Sequence, residues 1–318
     1  MSYKPRKLDQ ILYYLLSKNK SIDNLIYTLS GKKAISDTIR FKLRVYTRKL
    51  RSISDFNPII IGGCPRSGTT LARALIGMHP KIRSPQRECN ILLSFDFIEK
   101  LAENLELTKE EINNIKKRSK ERIQYIEQVI KLYLKKGEKQ IIALKHPYHI
   151  IMIDKLFYHF PNMKFIHLIR DGRDVACSLR NFPKRKIVKG KIVPNDVINP
   201  IDMGIRKWVS CINRGGKWQT SKNYIEIKYE DLINDSVNTM KKIFDFLSLE
   251  MIDEGKLLNF YKYEQDHKHI QNIEVGMPIY KRAIGRWKTD MNKSEIKTFK
   301  KMANDKLIEY GYEKDFDW

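Results

Sequence analysis

Within Gly62-Gly63-Cys64-Pro65-Arg66-Ser67-Gly68-Thr69-Thr70 stand three glycines, three hydroxyl side chains and an arginine. Glycines permit a tight turn and let an anion approach the backbone closely. Hydroxyls donate hydrogen bonds, and a guanidinium adds a rigid fork of permanent charge. A second group, Arg170-Asp171-Gly172-Arg173-Asp174, is followed by Ser178 eight residues after Arg170. On a helix that spacing is about two turns, so Arg170 and Ser178 can face one anion. The alternative for this cluster is a surface salt-bridge group. A third group is Lys145-His146-Pro147, and a carboxylate, Glu88, lies between the first and third.

Each group needs an element to aim it. Pro58-Ile59-Ile60-Ile61 reads as a buried parallel strand running into the glycine loop. Leu71, Ala74, Leu75 and Met78 then recur at helical spacing. Strand, glycine loop and helix N-terminus together make a phosphate-type cradle. Ile141-Ile142-Ala143-Leu144 is a second strand ending at Lys145, and Phe165-Ile166-His167-Leu168-Ile169 is a third ending at Arg170. Ligands of open α/β sheets sit at the carboxyl ends of strands, so Arg66, Lys145 and Arg170 converge on one edge. Tyr224-Ile225-Glu226-Ile227 gives a fourth strand. The expected fold is α/β, a P-loop-like central parallel sheet of about four to five strands flanked by helices.

Gly63 and Gly68 match the first part of G-x-x-x-x-G-K-[ST], the triphosphate loop. Thr69 stands where that motif places its lysine, which counts against ATP or GTP chemistry.

Pro65-Arg66-Ser67-Gly68-Thr69-Thr70-Leu71 resembles the 5′-phosphosulfate loop of sulfotransferases that use 3′-phosphoadenosine 5′-phosphosulfate (PAPS). Arg170 to Asp174 with Ser178 resembles their 3′-phosphate element. Tyr229-Glu230-Asp231-Leu232 and Gly285-Arg286-Trp287-Lys288 are similar to further recurring segments, in the family's order from Pro58 to the C-terminus. The wording is nearest to the Golgi-type branch, with its tyrosylprotein and glycan sulfotransferases and related bacterial enzymes.

The resemblance implies PAPS as donor, PAP as product and no metal. It implies that Arg66, Ser67, Gly68, Thr69 and Thr70 bind the 5′-phosphosulfate. Arg170 and Ser178 would bind the 3′-phosphate, with Tyr229 near the nucleotide and Lys281 and Arg282 as further cofactor contacts. Lys145 resembles a lysine that stabilises the leaving oxygen; otherwise it is an ordinary loop lysine. A gapless alignment to the tyrosylprotein branch puts its base at Arg87, and a one-residue shift makes Glu88 the base. The competing reading pairs Glu88 with Arg83 or Arg87 on the surface. His146 is the reserve base.

At 318 residues and 42% hydrophobic content, the chain can bury a substantial core. Its four scattered cysteines read as reduced structural thiols. No signal peptide or membrane-length apolar run is evident, which points to a cytoplasmic protein. The net charge of +24 favours anionic partners. Residues 1–57 hold thirteen Lys and Arg against four Asp and read as a basic helical segment packed on the core or lying on an anionic membrane. Residues 58–318 would be the sulfotransferase domain.

Residues 182–200 read as a basic loop with two Val/Ile-rich strips, placed to cover an acidic acceptor. His146/His149 and His267/His269 have metal-like spacing without Cys or carboxylate companions, and read as incidental. The acceptor is expected to be a hydroxyl on a glycan or lipid-linked sugar, or else a tyrosine or small alcohol; no nucleic acid is expected. The alternatives are a P-loop kinase or triphosphatase, and a non-catalytic anion- or membrane-binding relative.

Overall fold

Continuous burial along the central strands marks a sheet covered on both faces. A computed structural model describes residues 56–89, 98–119, 122–183, 185–188, 191–264 and 272–318. The basic segment 1–57 therefore lies, except for its last two residues, outside the described residues, as does the pair His267/His269. Strands β1 (Ile59–Gly63), β2 (Ile82–Arg83), β3 (Ile141–Lys145), β4 (Lys164–Ile169) and β7 (Tyr224–Lys228) form one sheet in the order β2-β3-β1-β4-β7. Every pairing in it is parallel, with Ile61 opposite Lys145 on one side and Ile166 on the other. The short β2 is the fifth strand, too brief to announce itself by periodicity.

Because successive side chains point to opposite faces, neighbouring residues enter different cores. Ile60, Leu144 and Phe165 join one apolar cluster, while Ile59, Ile61, Ala143 and Ile166 join the other. Helix α1 (Thr69–Ile76) follows the glycine loop and packs into the second cluster through Ala72, Leu75 and Ile76. Helices α2 (Ile98–Asn104), α3 (Lys109–Arg118) and α4 (Arg122–Lys136) precede β3. A capping box opens α3, with Thr108 Oγ1 accepting from the Glu111 amide and the Glu111 carboxylate accepting from the Thr108 amide. Between β3 and β4 come a 3₁₀ turn (Pro147–Met152) and α5 (Ile153–His159).

Helix α6 (Gly172–Arg180) leaves β4 directly, and its N-cap is Asp171, whose carboxylate accepts from the Arg173 amide at 2.9 Å. The stretch expected as a loop after it contains an antiparallel hairpin, β5 (Arg185–Val188) and β6 (Lys191–Pro194). The two Val/Ile-rich strips pair with each other, Ile187 opposite Ile192. Helix α7 (Ile201–Gly216) carries Trp208 fully buried against the sheet layer. The chain ends with α8 (Tyr229–Asn234), α9 (Ser236–Phe246), α10 (Glu254–Leu258), α11 (Trp287–Asp290) and α12 (Lys293–Glu309). All four cysteines are buried thiols outside any disulfide.

Candidate active site

The carboxyl ends of β1, β3 and β4 open into a cavity of about 630 Å³, lined by Arg66, Gly68, Thr70, Glu88, Arg170 and Ser178 among others. The loop leaving β1 turns tightly, its Ser67 amide donating to the Cys64 carbonyl at 3.1 Å. Gly63 passes so close to β4 that a Cβ there would stand 2.4 Å from the Leu168 carbonyl oxygen. Gly68 has φ 87°, and a Cβ on it would stand 2.3 Å from the Tyr229 ring. Arg66 has φ 76°, a left-handed conformation that costs a non-glycine residue about 1–3 kcal/mol. What offsets that strain is visible: Arg170 Nη1 donates to the Arg66 carbonyl at 3.0 Å, and Arg66 Nε donates to Ser178 Oγ at 3.1 Å.

The loop and α6, expected to bind separate anionic groups, are thus locked to each other before any ligand arrives. Arg66 lies over the Phe182 ring and Arg170 over the Tyr229 ring. Burial pushes the pKa of Arg66 down; Glu274 opposes that and the like charge of Arg170 adds to it. Ser67 Oγ and Arg170 Nε are buried without a hydrogen-bond partner among the described residues. An unsatisfied buried hydroxyl and an unsatisfied guanidinium N–H fit an anionic ligand.

A second layer holds this arrangement. Trp208 Nε1 donates to the Arg170 carbonyl at 3.0 Å. Glu230, the residue after Tyr229, accepts from the Asp171 amide at 3.0 Å and from the Tyr312 hydroxyl at 3.0 Å. Asp174 does not cap α6; fully buried, it accepts from the amides of Gly285 at 2.8 Å and Trp287 at 3.0 Å. That tie brings the Gly285-Arg286 segment to the cavity, where Tyr280, Ala283 and Arg286 contribute to the wall. Lys281 and Arg282 are exposed and outside the lining. Arg173, expected only as part of a cluster, is sandwiched between Trp287 and Trp318 and paired with Asp171 and Glu313.

Lys145 is buried rather than a loop lysine on the surface. Its Nζ donates to Thr70 Oγ1 at 3.2 Å and to Glu88 Oε1 at 3.2 Å. Glu88 is held by Lys145, while Arg83 pairs with Glu106 and Arg87 with Glu103. His146 Nε2 lies 3.5 Å from Glu88 Oε2. His149 is buried, with Nδ1 3.3 Å from the Ile61 carbonyl oxygen, and burial pushes its pKa down to about 3. Asn104 donates to the Glu88 carbonyl at 2.8 Å, a support for which the sequence carried no signal.

The model of the sulfotransferase family matches residues 58–254, more than half of the chain. The chain belongs to the sulfotransferase family. Protein-tyrosine sulfotransferase A of Caenorhabditis elegans is 26% identical over 72% of this chain. The match spans 60% of that relative's own length. An omega-hydroxy-beta-dihydromenaquinone-9 sulfotransferase of Mycobacterium bovis is 26% identical over 46% of this chain and 38% of its own. Among solved structures, the sulfotransferase domain of the Synechococcus PCC 7002 olefin synthase superposes with a TM-score of 0.55 at 21% identity, covering 77% of this chain and 92% of that one. The latter likeness supports the fold, an α/β sulfotransferase architecture with a central parallel sheet.

Proposed function

We propose that this protein transfers a sulfuryl group from PAPS to an acceptor hydroxyl. The observation that carries the reading is the direct Arg66–Ser178 contact, which joins the two anion-binding elements in one cavity shared with Glu88. PAPS has two separated anionic ends, and the loop and α6 supply one cradle for each. In this reading Arg66, Ser67, Gly68, Thr69 and Thr70 hold the 5′-phosphosulfate, and Arg170 and Ser178 the 3′-phosphate. Tyr229 packs beside them, and Lys281 and Arg282 would act from outside the wall by long-range charge.

Bound PAPS supplies the sulfuryl group and departs as PAP. Glu88 accepts the proton of the acceptor hydroxyl as the new oxygen–sulfur bond forms. Lys145 places an ammonium where negative charge grows on the departing phosphate oxygen as the old bond breaks. By analogy with phosphoryl transfer the transition state is loose, so positioning and fixed positive charge do most of the catalysis. This scheme requires no metal.

We take the acceptor to be a hydroxyl on a glycan or lipid-linked sugar, in a protein that works in the cytoplasm with peripheral contact at anionic membranes. The relatives named for tyrosine and for a menaquinone derivative keep a protein tyrosine or a lipid alcohol as the second reading. Thermal unfolding tests the donor: PAP at ~100 times its dissociation constant should add about 2.7 kcal/mol without magnesium. Stabilisation by Mg-ATP alone would sink the reading. Radiolabelled PAPS with a panel of sugars, tyrosine peptides and long-chain alcohols then separates the acceptors.

A further inference from the structure

We infer that His146 is a positioning residue for Glu88, holding the carboxylate through Nε2–H; this rests on Glu88 being the base. The tautomer is fixed by the main chain. The Tyr148 amide donates to His146 Nδ1 at 3.2 Å, so Nδ1 is the acceptor and the ring proton sits on Nε2. That N–H faces Glu88 Oε2 at 3.5 Å, while Lys145 donates to Glu88 Oε1 at 3.2 Å. A neutral ring with its lone pair committed to an amide cannot also take a hydroxyl proton, which removes His146 as the base.

The arrangement resolves a conflict in the role of Lys145. Its ammonium already reaches both Thr70 and Glu88. Once it turns to the departing oxygen, Glu88 loses one donor, and the half-exposed carboxylate needs another to stay aimed. His146 provides it, and the half-exposed position of Glu88 leaves room for the 3.5 Å separation to shorten. Two neighbouring side chains are engaged elsewhere: Arg87 pairs with Glu103, and Asn104 donates to the Glu88 carbonyl.

His146 also N-caps the 3₁₀ turn, so a purely structural role must be separated from positioning. His146→Asn keeps an acceptor for the Tyr148 amide but is too short to reach Glu88. His146→Gln places a donor near the Nε2 position. The experiment is NMR on the full chain saturated with PAP, with labelled histidine and glutamate. In the wild type, His146 should show a protonated Nε2 and a bare Nδ1. The Glu88 carboxyl midpoint should move upward in His146→Ala and His146→Asn, because a donor to the charged form is lost, and return in His146→Gln. A bare Nε2, an unmoved midpoint in His146→Ala, or restoration by Asn equal to that by Gln would each overturn the inference. Failure of PAP to bind the wild type would instead remove the sulfotransferase reading, so the two failures are distinguishable.

Discussion

Arg66 carries the site's charge in a backbone conformation that non-glycine residues avoid, and Arg170 clamps it there through its carbonyl. The two arginines are therefore structurally linked, each holding the other's element. Arg66→Ala and Arg170→Ala should both lose the stabilisation by PAP, measured as the shift in melting temperature with ligand. Retention of the full shift in either variant would remove that residue from the cofactor site. Glu88 differs, because it is tied to the loop through Lys145, which bridges it to Thr70. Glu88→Gln should lower the rate of sulfuryl transfer by about 100- to 10,000-fold while leaving PAP binding intact. Near-normal transfer would move the base elsewhere.

Among the elements, the loop between β1 and α1 depends on α8 as much as on its own glycines. Gly68 is needed both for its φ of 87° and for the space the Tyr229 ring takes. Gly68→Ala should therefore cost about 1–2 kcal/mol from the left-handed backbone alone, and more from the displaced ring. Urea unfolding with and without PAP measures both stability and binding; an unchanged midpoint would show that the loop can rebuild itself. The segment 285–287 is positioned from α6 by Asp174, a carboxylate that looks like a capping residue in sequence. The hairpin of β5 and β6 is tied at its base by Asn199, whose side chain donates to the carbonyls of Leu179 and Phe182.

At the scale of the whole molecule, two histidines are buried neutral on and beside the central sheet. Burial lowers the pKa of His149 to about 3 and also lowers that of His167, against the opposing pull of Glu226. The unfolded chain protonates both as pH falls below about 6.5, and the folded chain does not. Stability is therefore full above that pH and falls as pH drops, for His149 by up to about 1.4 kcal/mol per pH unit down to about pH 3, with His167 adding in the same direction. Urea unfolding at pH 7 and pH 5 should show the loss, and His149→Gln should remove part of it. A flat profile across that interval would contradict neutral burial.

The strands that end at Lys145 and Arg170, the glycine loop, and Ser178 two helical turns beyond Arg170 are legible in the residues alone. Those follow from local spacing: β-branched runs make strands, glycine permits the turn, and helical period aligns side chains. The sequence also singled out Glu88, through a resemblance with a one-residue shift. What Glu88 meets depends on the folded chain, because Lys145 and His146 arrive from another strand end. The same holds for Asp174, Glu230 and Asn104, whose partners are far along the chain. The hairpin at 185–194 escaped the sequence reading because two short strips pair only with each other. Local chemistry announced the anion cradle; long-range packing chose which carboxylate faces it.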